Sequence, residues 1–276
     1  YNLGNCVFWD RDNSGHVSPA DGATPGIAGV VVQLMNAAGT APIDLDPEAA
    51  GVQSTDTTDA LGKYLFLGVP EGTYKVFVQG SNFTAGQPLE DYYASTGGND
   101  EDDANLNGDQ NDNGLDPGEI GYAGDPQANG ICSGQITLGP NGGEPAGENP
   151  DNDTTQLPDD RSNLTVDFGV WEPMCVGDYA WLDLDADGDQ DGGNEPAIPG
   201  VVLNLLVDSA GSGTYVAAVD ALGATVTNQT TGAQGEYKFS NLPPGDYIVQ
   251  LTTPPTGFDP TINGGDPDND DNDDNN

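Results

Sequence analysis

Basic residues are almost missing from this chain. Five Lys and Arg stand against 46 Asp and Glu over 276 residues, a formal charge of −41. A surface so poor in cations cannot neutralise phosphates. Nucleic acid is therefore excluded as a partner, and anionic membranes are disfavoured. Histidine is nearly absent as well, with His16 alone. No nucleophile motif or phosphate loop accompanies it, so the chain is not expected to be an enzyme. Paired carboxylates could serve a glycosidase, but the acids here fall in ion-type spacings. Cysteine is scarce: Cys6, Cys132 and Cys175 form no Cys-x-x-Cys pair, and one histidine cannot complete a zinc site with them. They allow one disulfide with an odd thiol left over, in an oxidising compartment, or buried free thiols. The sequence does not choose among the three pairs. Long apolar runs are missing too, so no signal peptide, transmembrane segment or membrane insertion is expected. The chain opens on a tyrosine and reads as a processed product or a piece of something longer.

What is present is turn-rich and short-stranded. Forty glycines and 21 prolines punctuate a chain that is 35% hydrophobic, below the globular average. No amphipathic helical stretch of useful length occurs. Short runs such as "GVVVQL", "GKYLFL", "TYKVFV", "GEYKFS" and "DYIVQL" alternate apolar and polar residues between turn signals. They read as strands, and the chain as all-β.

The pattern occurs twice. "GNCVFWDRDNSGH" from Gly4 aligns with "GDYAWLDLDADGD" from Gly177. "IAGVVVQL" from Ile27 meets "IPGVVLNL" from Ile198, and "GKYLFLGVPEGTYKVFV" from Gly62 meets "GEYKFSNLPPGDYIVQL" from Gly235. The offset stays near 173, the mark of a tandem duplication. The expected division is 1-172 and 173-276. Each copy reads strand, acidic loop, strand, variable segment, hairpin, strand. Copy one continues through a polar insertion, 97-129, a strand "GICSGQITLGP" and a closing strand "SNLTVDFGVWEP". Copy two has no counterpart of the last two and is expected to be incomplete at its C-terminus. Such a sandwich has an open edge, so either the chain is a fragment or a neighbour donates the missing strand. The linker is short and contains Pro173, which argues against two freely tumbling domains.

The charge could be a halophile's solvated surface, a disordered acidic tail, or a set of cation ligands. Asp supplies 36 of the 46 acids, and a tight oxygen-ligand loop favours its short side chain. With Asp10 as position 1, "DRDNSGHVSPAD" places Asp12 at 3, Ser14 at 5, Gly15 at 6, His16 at 7 and Asp21 at 12. This is the spacing of an EF-hand-type calcium loop, in which position 7 contributes its backbone carbonyl. In copy two Asp183, Asp185, Asp187, Gly188 and Asp189 fill the first part. Asn194 falls at the closing position with Glu195 one step later, so Glu195 can close the shell if the loop bulges at Gly192–Gly193. Two carboxylates 4 Å apart repel by roughly 4 kcal/mol at an effective dielectric near 20. Three in one turn would strain a domain of about 5–15 kcal/mol total stability, and bound Ca²⁺ relieves that strain. In the insertion, Asp109, Asn111, Asn113 and Glu119 offer a further, less regular set, with the closing acid one residue early.

The order "GNxVFxD…DxDxxG", "GxxGVxVxL", "GKYxFxxxxxGxYxV" and "NLTVDFG" resembles the B-type repeats of serine–aspartate repeat adhesins, SdrD B-like domains of the collagen-adhesin B-type, prealbumin-like class. The resemblance covers nearly the whole chain. It implies tandem seven-stranded Greek-key (Ig-like) β-sandwiches, calcium-dependent rigidity, and a stalk or fibre module outside the cell, at the cell surface. It carries ligand roles to Asp10, Asp12 and Asp21, and to Asp183, Asp185, Asp187 and Glu195. Many collagen-adhesin B-type domains hold a Lys–Asn crosslink with the lysine on the first strand. Here that strand has none, and Lys63, Lys75 and Lys238 read as solvent-facing, so no crosslink is expected.

Two functions follow as expectations. One is a calcium-stiffened structural module of an extracellular fibre, filament or adhesin stalk, partnered by copies of itself or further repeats of the same chain. The alternative is a binding module that grips a carbohydrate or protein as surface ligand. Trp9, Trp171 and Trp181 are expected to seal a core or junction. Among the Asn-x-Ser/Thr sites, Asn82 and Asn228 are better glycan candidates than Asn163, which begins the closing strand, while Asn152 completes the set.

Overall fold

Alternating apolar residues become strands in both copies, and the strands pair into sheets that face each other across a core. The computed structural model describes residues 1–45, 54–96, 111–116, 119, 123–140, 161–186, 188, 190, 194–208 and 212–261. The chain is all-β apart from short helical turns, and it divides into two units, Tyr1–Pro173 and Met174–Asn276. Each is a Greek-key sandwich.

In unit 1 the first sheet contains β1 (Asn2–Trp9), β4 (Lys63–Phe66), β6 (Tyr93–Ala94), β9 (Ser162–Asn163) and β10 (Phe168–Trp171). Its order is β4-β1-β10-β6, with β9 also pairing β1. The second sheet contains β2 (Val31–Asn36), β3 (Thr55–Thr57), β5 (Gly72–Val78), β7 (Ile131–Cys132) and β8 (Ile136–Leu138), in the order β3-β2-β5-β7 with β8 also on β5. β1 is central: it runs antiparallel to β4 and parallel to β9 and β10. That position explains why six of its eight residues are buried rather than alternate ones. Leu3, Val7, Val32, Leu34, Val76, Val78, Val166, Phe168 and Val170 are fully buried between the sheets.

In unit 2, β11 (Met174–Tyr179) pairs antiparallel with β15 (Glu236–Leu242). Opposite them β12 (Val202–Asp208) pairs with β13 (Val216–Ala217), β14 (Gln229–Thr230) and β16 (Asp246–Thr253). Among the described residues of unit 2 no strand corresponds to β7, β8, β9 or β10.

The duplication extends to single hydrogen bonds. Thr58 Oγ1 donates to Ile27 O at 2.7 Å and accepts from Val30 N, and Thr231 Oγ1 does the same with Ile198 O at 2.8 Å and Val201 N. The Tyr74 hydroxyl donates to Pro70 O, and the Tyr247 hydroxyl to Pro243 O. Gly62 and Gly235 sit at φ 78° and 82°, and a Cβ at either would lie 2.4 Å from a first-strand carbonyl, Val7 O or Ala180 O. Only glycine meets both demands.

Several expectations need correcting. The segment read as a hairpin is none: β4 joins β1 while β5 joins β2, so the chain crosses between sheets at 67–71, and β15 and β16 part in the same way. "GICSGQITLGP" is two strands, interrupted where Ser133 exchanges bonds with Val76 through both its backbone N and its Oγ. The closing segment is also split, with residues 164–167 between β9 and β10. Lys75 is buried, whereas Lys63 and Lys238 are exposed. Residues 36–41 cover that face of β5, and a Cβ on Gly39 would lie 3.5 Å from Lys75 Cδ. Asn82 is buried too. Its side chain accepts from Val31 N and donates to the carbonyls of Val31 and Gln79, which removes it as a glycan candidate. Asn228 is exposed, and Asn152 lies outside the described residues. All three cysteines are free thiols: Cys6 half-buried, Cys132 buried and Cys175 exposed. Trp171 is fully buried, stacks on Tyr93 and donates through Nε1 to Ala94 O at 2.7 Å.

Candidate metal centre

The first acidic loop starts where β1 ends. Asp10 N is tied to Val170 O at 2.8 Å, which fixes the point at which the chain leaves the sheet. The chain then turns tightly through Asn13 (φ 52°) and Gly15 (φ 82°). The turn aims backbone amides inward: Ser14 N donates to Asp10 Oδ1 at 3.0 Å and Gly15 N to Asp10 Oδ2 at 2.9 Å. At the far end, Ser18 caps the 3-10 turn Pro19–Asp21 and forms a capping box with Asp21. Asp21 accepts from Arg11 N at 2.7 Å and from Ser18 N at 2.6 Å, so it closes the loop onto its own start. Asp12 Oδ2 accepts from Ser18 Oγ at 3.0 Å.

These contacts bring Asp10, Asp12 and Asp21 together, with one oxygen from each lying within 4.8 Å of the others. Ca²⁺ bonds oxygen at about 2.3–2.6 Å, so two ligands of one ion are at most about 5 Å apart. The cluster fits that limit. Ser14 and His16 lie on the same turn, and Ser14 Oγ donates to His16 O at 3.2 Å. Burial pushes the Asp10 carboxyl up to about 6, against the opposing pull of its bonds from Ser95, Gly15 and Ser14. Burial also acts upward on Asp12, but hydrogen bonds from Ser14, Asp10 and Ser18 hold it below the usual carboxylate value. Asp10 is buried and Asp12 exposed, and the hydrogen bond between them adds to the upward shift of the first and the downward shift of the second.

The second loop repeats this construction. Ala186 (φ 61°) and Gly188 (φ 90°) occupy the places of Asn13 and Gly15. Ala186 N donates to Asp183 Oδ1 at 2.6 Å and Gly188 N to Asp183 Oδ2 at 3.1 Å. Leu184 N donates to Glu195 Oε1 at 2.8 Å, as Arg11 N does to Asp21. Glu195 therefore takes the closing place despite its one-residue displacement. Oxygens of Asp183, Asp185 and Glu195 lie within 4.8 Å of one another. Asp187 and Asp189 lie outside the described residues, as does Asp109 of the insertion.

The insertion's other candidates are placed separately. Asn111 bridges to His16. Asn113 is buried, and its Oδ1 accepts from Asp167 N at 2.8 Å, an anchor for the closing segment. Glu119 accepts from Asp116 N at 2.6 Å. The insertion also touches loop one, since Asp112 N donates to Gly15 O at 2.9 Å. A second brace, not singled out in the sequence, comes from residues 95–96. Ser95 Oγ donates to Asp10 Oδ2, Thr96 N donates to Asn13 Oδ1 at 2.8 Å, and Asn13 Nδ2 donates to Thr96 Oγ1 at 2.9 Å. No spacing rule links residues 83 positions apart; the polar run "AST" before the insertion is the only local signal.

A family model described as SdrD B-like domain matches residues 1–120 and 174–276. The chain is 30% identical over 263 residues to the serine-aspartate repeat-containing protein D of Staphylococcus aureus strain Newman, which covers 95% of this chain and 14% of that protein. It is 28% identical over 270 residues to the serine-aspartate repeat-containing protein F of Staphylococcus epidermidis strain ATCC 12228, covering 97% of this chain and 12% of the relative. The chain therefore spans about one-seventh of the length of the first of these relatives. Among solved structures, a streptococcal ancillary pilin aligns with 93% of this chain and 54% of its own at 14% identity and a TM-score of 0.29. The shaft pilin SpaA of Lactobacillus rhamnosus GG aligns with 94% of this chain and 89% of its own at 13% identity and a TM-score of 0.27.

Proposed function

Because the chain belongs to the family of SdrD B-like domains, we propose that it is a calcium-stiffened structural module of an extracellular fibre, filament or adhesin stalk, displayed at the cell surface. Its partners on this reading are further repeats of the same chain or copies of itself. One observation carries the calcium reading: the same three-carboxylate cluster, built through the same turn, recurs after the first strand of each unit. A single acidic turn is commonly just solvated. Two clusters that share the Gly15/Gly188 and Arg11/Leu184 backbone donors argue for a shared ligand, and an all-oxygen donor set suits a hard divalent cation.

Asp10, Asp12 and Asp21 would hold one ion, and Asp183, Asp185 and Glu195 another. Ca²⁺ would contribute charge neutralisation and a crosslink, and no chemical step. The stiffening follows from the loop's own geometry. Asp10 and Asp21 stand at its two ends, so a ligand shared by both fixes the path between them and removes backbone freedom.

The test is thermal melting of the full chain in calcium and after chelation. With calcium tenfold above its dissociation constant, each site adds about 1.4 kcal/mol to the stability of its unit. Both units should melt higher in calcium, and magnesium at the same concentration should do less. Identical melting with and without chelator would overturn calcium stiffening and leave the acids as a solvated surface.

A further inference from the structure

Asp10 stands at the exit of β1, and its carboxylate is held from two directions. Ser14 N donates to Oδ1 and Gly15 N to Oδ2, and both donors belong to the loop itself. The third bond differs in origin. Ser95 Oγ donates to Asp10 Oδ2 from the end of β6, 85 residues on in sequence. Ser95 is fully buried, and its own N donates to Gly169 O at 2.9 Å, so its hydroxyl is fixed to the sheet rather than to the loop. Gly169 lies on β10 opposite Phe8, and a Cβ there would stand 2.9 Å from Ser95 Cβ and 3.0 Å from Phe8 Cζ. The missing side chain lets Ser95 come close enough to reach Asp10.

Asn13 is the left-handed residue of the turn, at φ 52°. Its Oδ1 accepts from Thr96 N at 2.8 Å and lies 3.2 Å from Ser95 Oγ, and its Nδ2 donates to Thr96 Oγ1 at 2.9 Å. The turn that carries the ligands is therefore pinned to residues 95–96 through both Asp10 and Asn13. On its other side Gly15 O accepts from Asp112 N at 2.9 Å, and Asp112 Oδ1 accepts from Gly169 N at 2.9 Å. Both arms thus hang from Gly169, one through its O and one through its N. Loop two has the same backbone at this point with a different side chain. Ala186, at φ 61°, occupies the place of Asn13 and carries no amide.

We propose, resting on the calcium reading of loop one, that Ser95 and Asn13 are positioning residues for its ion. They fix the Asp10 carboxylate and the turn around it to the sheet before any ion arrives, and so raise the affinity of that site. The reason is chiefly entropic. Ordering a free loop at the moment of binding costs part of the interaction energy, and a loop already held does not incur that cost. The Ser95 hydroxyl also orients one oxygen of the ligand, as hydrogen bonds behind a metal-binding carboxylate do. Neither residue has to touch the ion. Loop two, with Ala186, has no such amide to lose, so its ion is independent of this brace.

The test is calcium titration of the full chain, wild type against Asn13→Ala and Ser95→Ala, followed by NMR at the amides of Gly15 and Gly188. These amides donate to the first ligand of each loop and report the two sites separately. Asn13→Ala gives loop one the residue that loop two already carries in the same backbone conformation. It carries the test alone if Ser95→Ala, which empties a buried position, fails to fold. Each variant should weaken binding read at Gly15 by about 10–100-fold and leave the value at Gly188 within about twofold. A role in folding alone would lower melting equally in calcium and in chelator and leave both dissociation constants unchanged; that result overturns the proposal. Equal weakening at Gly15 and Gly188 overturns it too. If the wild-type chain shows no saturable calcium shift at either glycine, the calcium reading fails and the proposal with it. Wild-type shifts at both glycines with unchanged variants reject the brace alone.

Discussion

The two units start from the same strands and end with different cores. Twenty described apolar residues form the buried core of unit 1 and seven that of unit 2. The difference is not in strand composition. Val76 and Val249 are the same residue at equivalent positions, yet the first is fully buried and the second is not. Tyr64 and Tyr237 differ in the same direction. Burial at these positions depends on residues 164–171, at least 86 positions on in sequence, a segment with no counterpart among the described residues of unit 2. A strand's local pattern thus fixes which face is apolar, but a distant segment decides whether that face is dry.

Phe168→Ala should break this contrast most severely. Phe168 is fully buried, so unit 1 should lose about 3–5 kcal/mol while unit 2 melts as before; loss in both transitions would mean they are not separate cores. Next come Gly62→Ala and Gly235→Ala. Each meets the same positive φ and the same carbonyl, and each should cost its own unit about 2 kcal/mol or more. Unequal losses would show that the shared framework is less alike than its geometry. Tyr64→Phe and Tyr237→Phe sharpen the comparison. The first leaves the Val166 carbonyl without its hydroxyl donor and should cost about 1–3 kcal/mol. The second should fall within about 0.5 kcal/mol of no change.

A modest effect is expected from pH, on ion-free chain. Asp10 has its pKa raised to about 6 from 3.8, so folding takes up a proton between those values. Stability therefore rises as pH falls from 7 towards 5, and is lost again as pH climbs through 6. Asp12 is shifted downward, and its contribution is lost only below about pH 4. A rise of about 2–4 °C in the melting of unit 1 between pH 7 and 5 is expected, measured in chelator; calcium should reverse its sign.

How much was legible depended on distance along the chain. The acidic loops are local, so the positions of Asp10, Asp12 and Asp21 were readable, and so was the late closing place of Glu195. Strands were readable from alternation, but their partners were not. The five residues between Phe66 and Gly72 resemble a hairpin turn, and nothing in a period of two says that the chain changes sheets there. Lys75 alternates with Tyr74 and Val76 and so reads as outward-facing. Its burial comes from residues 36–41, on another strand connection. A glycosylation triplet likewise records three residues, while Asn82 is occupied by bonds to Val31, 51 positions away. The brace from Ser95 and Thr96 onto loop one escaped for the same reason.

The parallel pairing of β1 with β10 also has a consequence in time. Cys6 N and its acceptor Asp167 are 161 residues apart. At a synthesis rate of about 5–20 residues per second, the partner of β1 is made roughly 8–32 s after β1 itself. Helices and hairpins form in microseconds, so one edge of the first strand waits many orders of magnitude longer than it needs to pair. During that interval the nascent chain presents an unpaired β-edge flanked by dense negative charge. Like charges on neighbouring nascent chains repel, and that repulsion guards the edge until its own strand arrives.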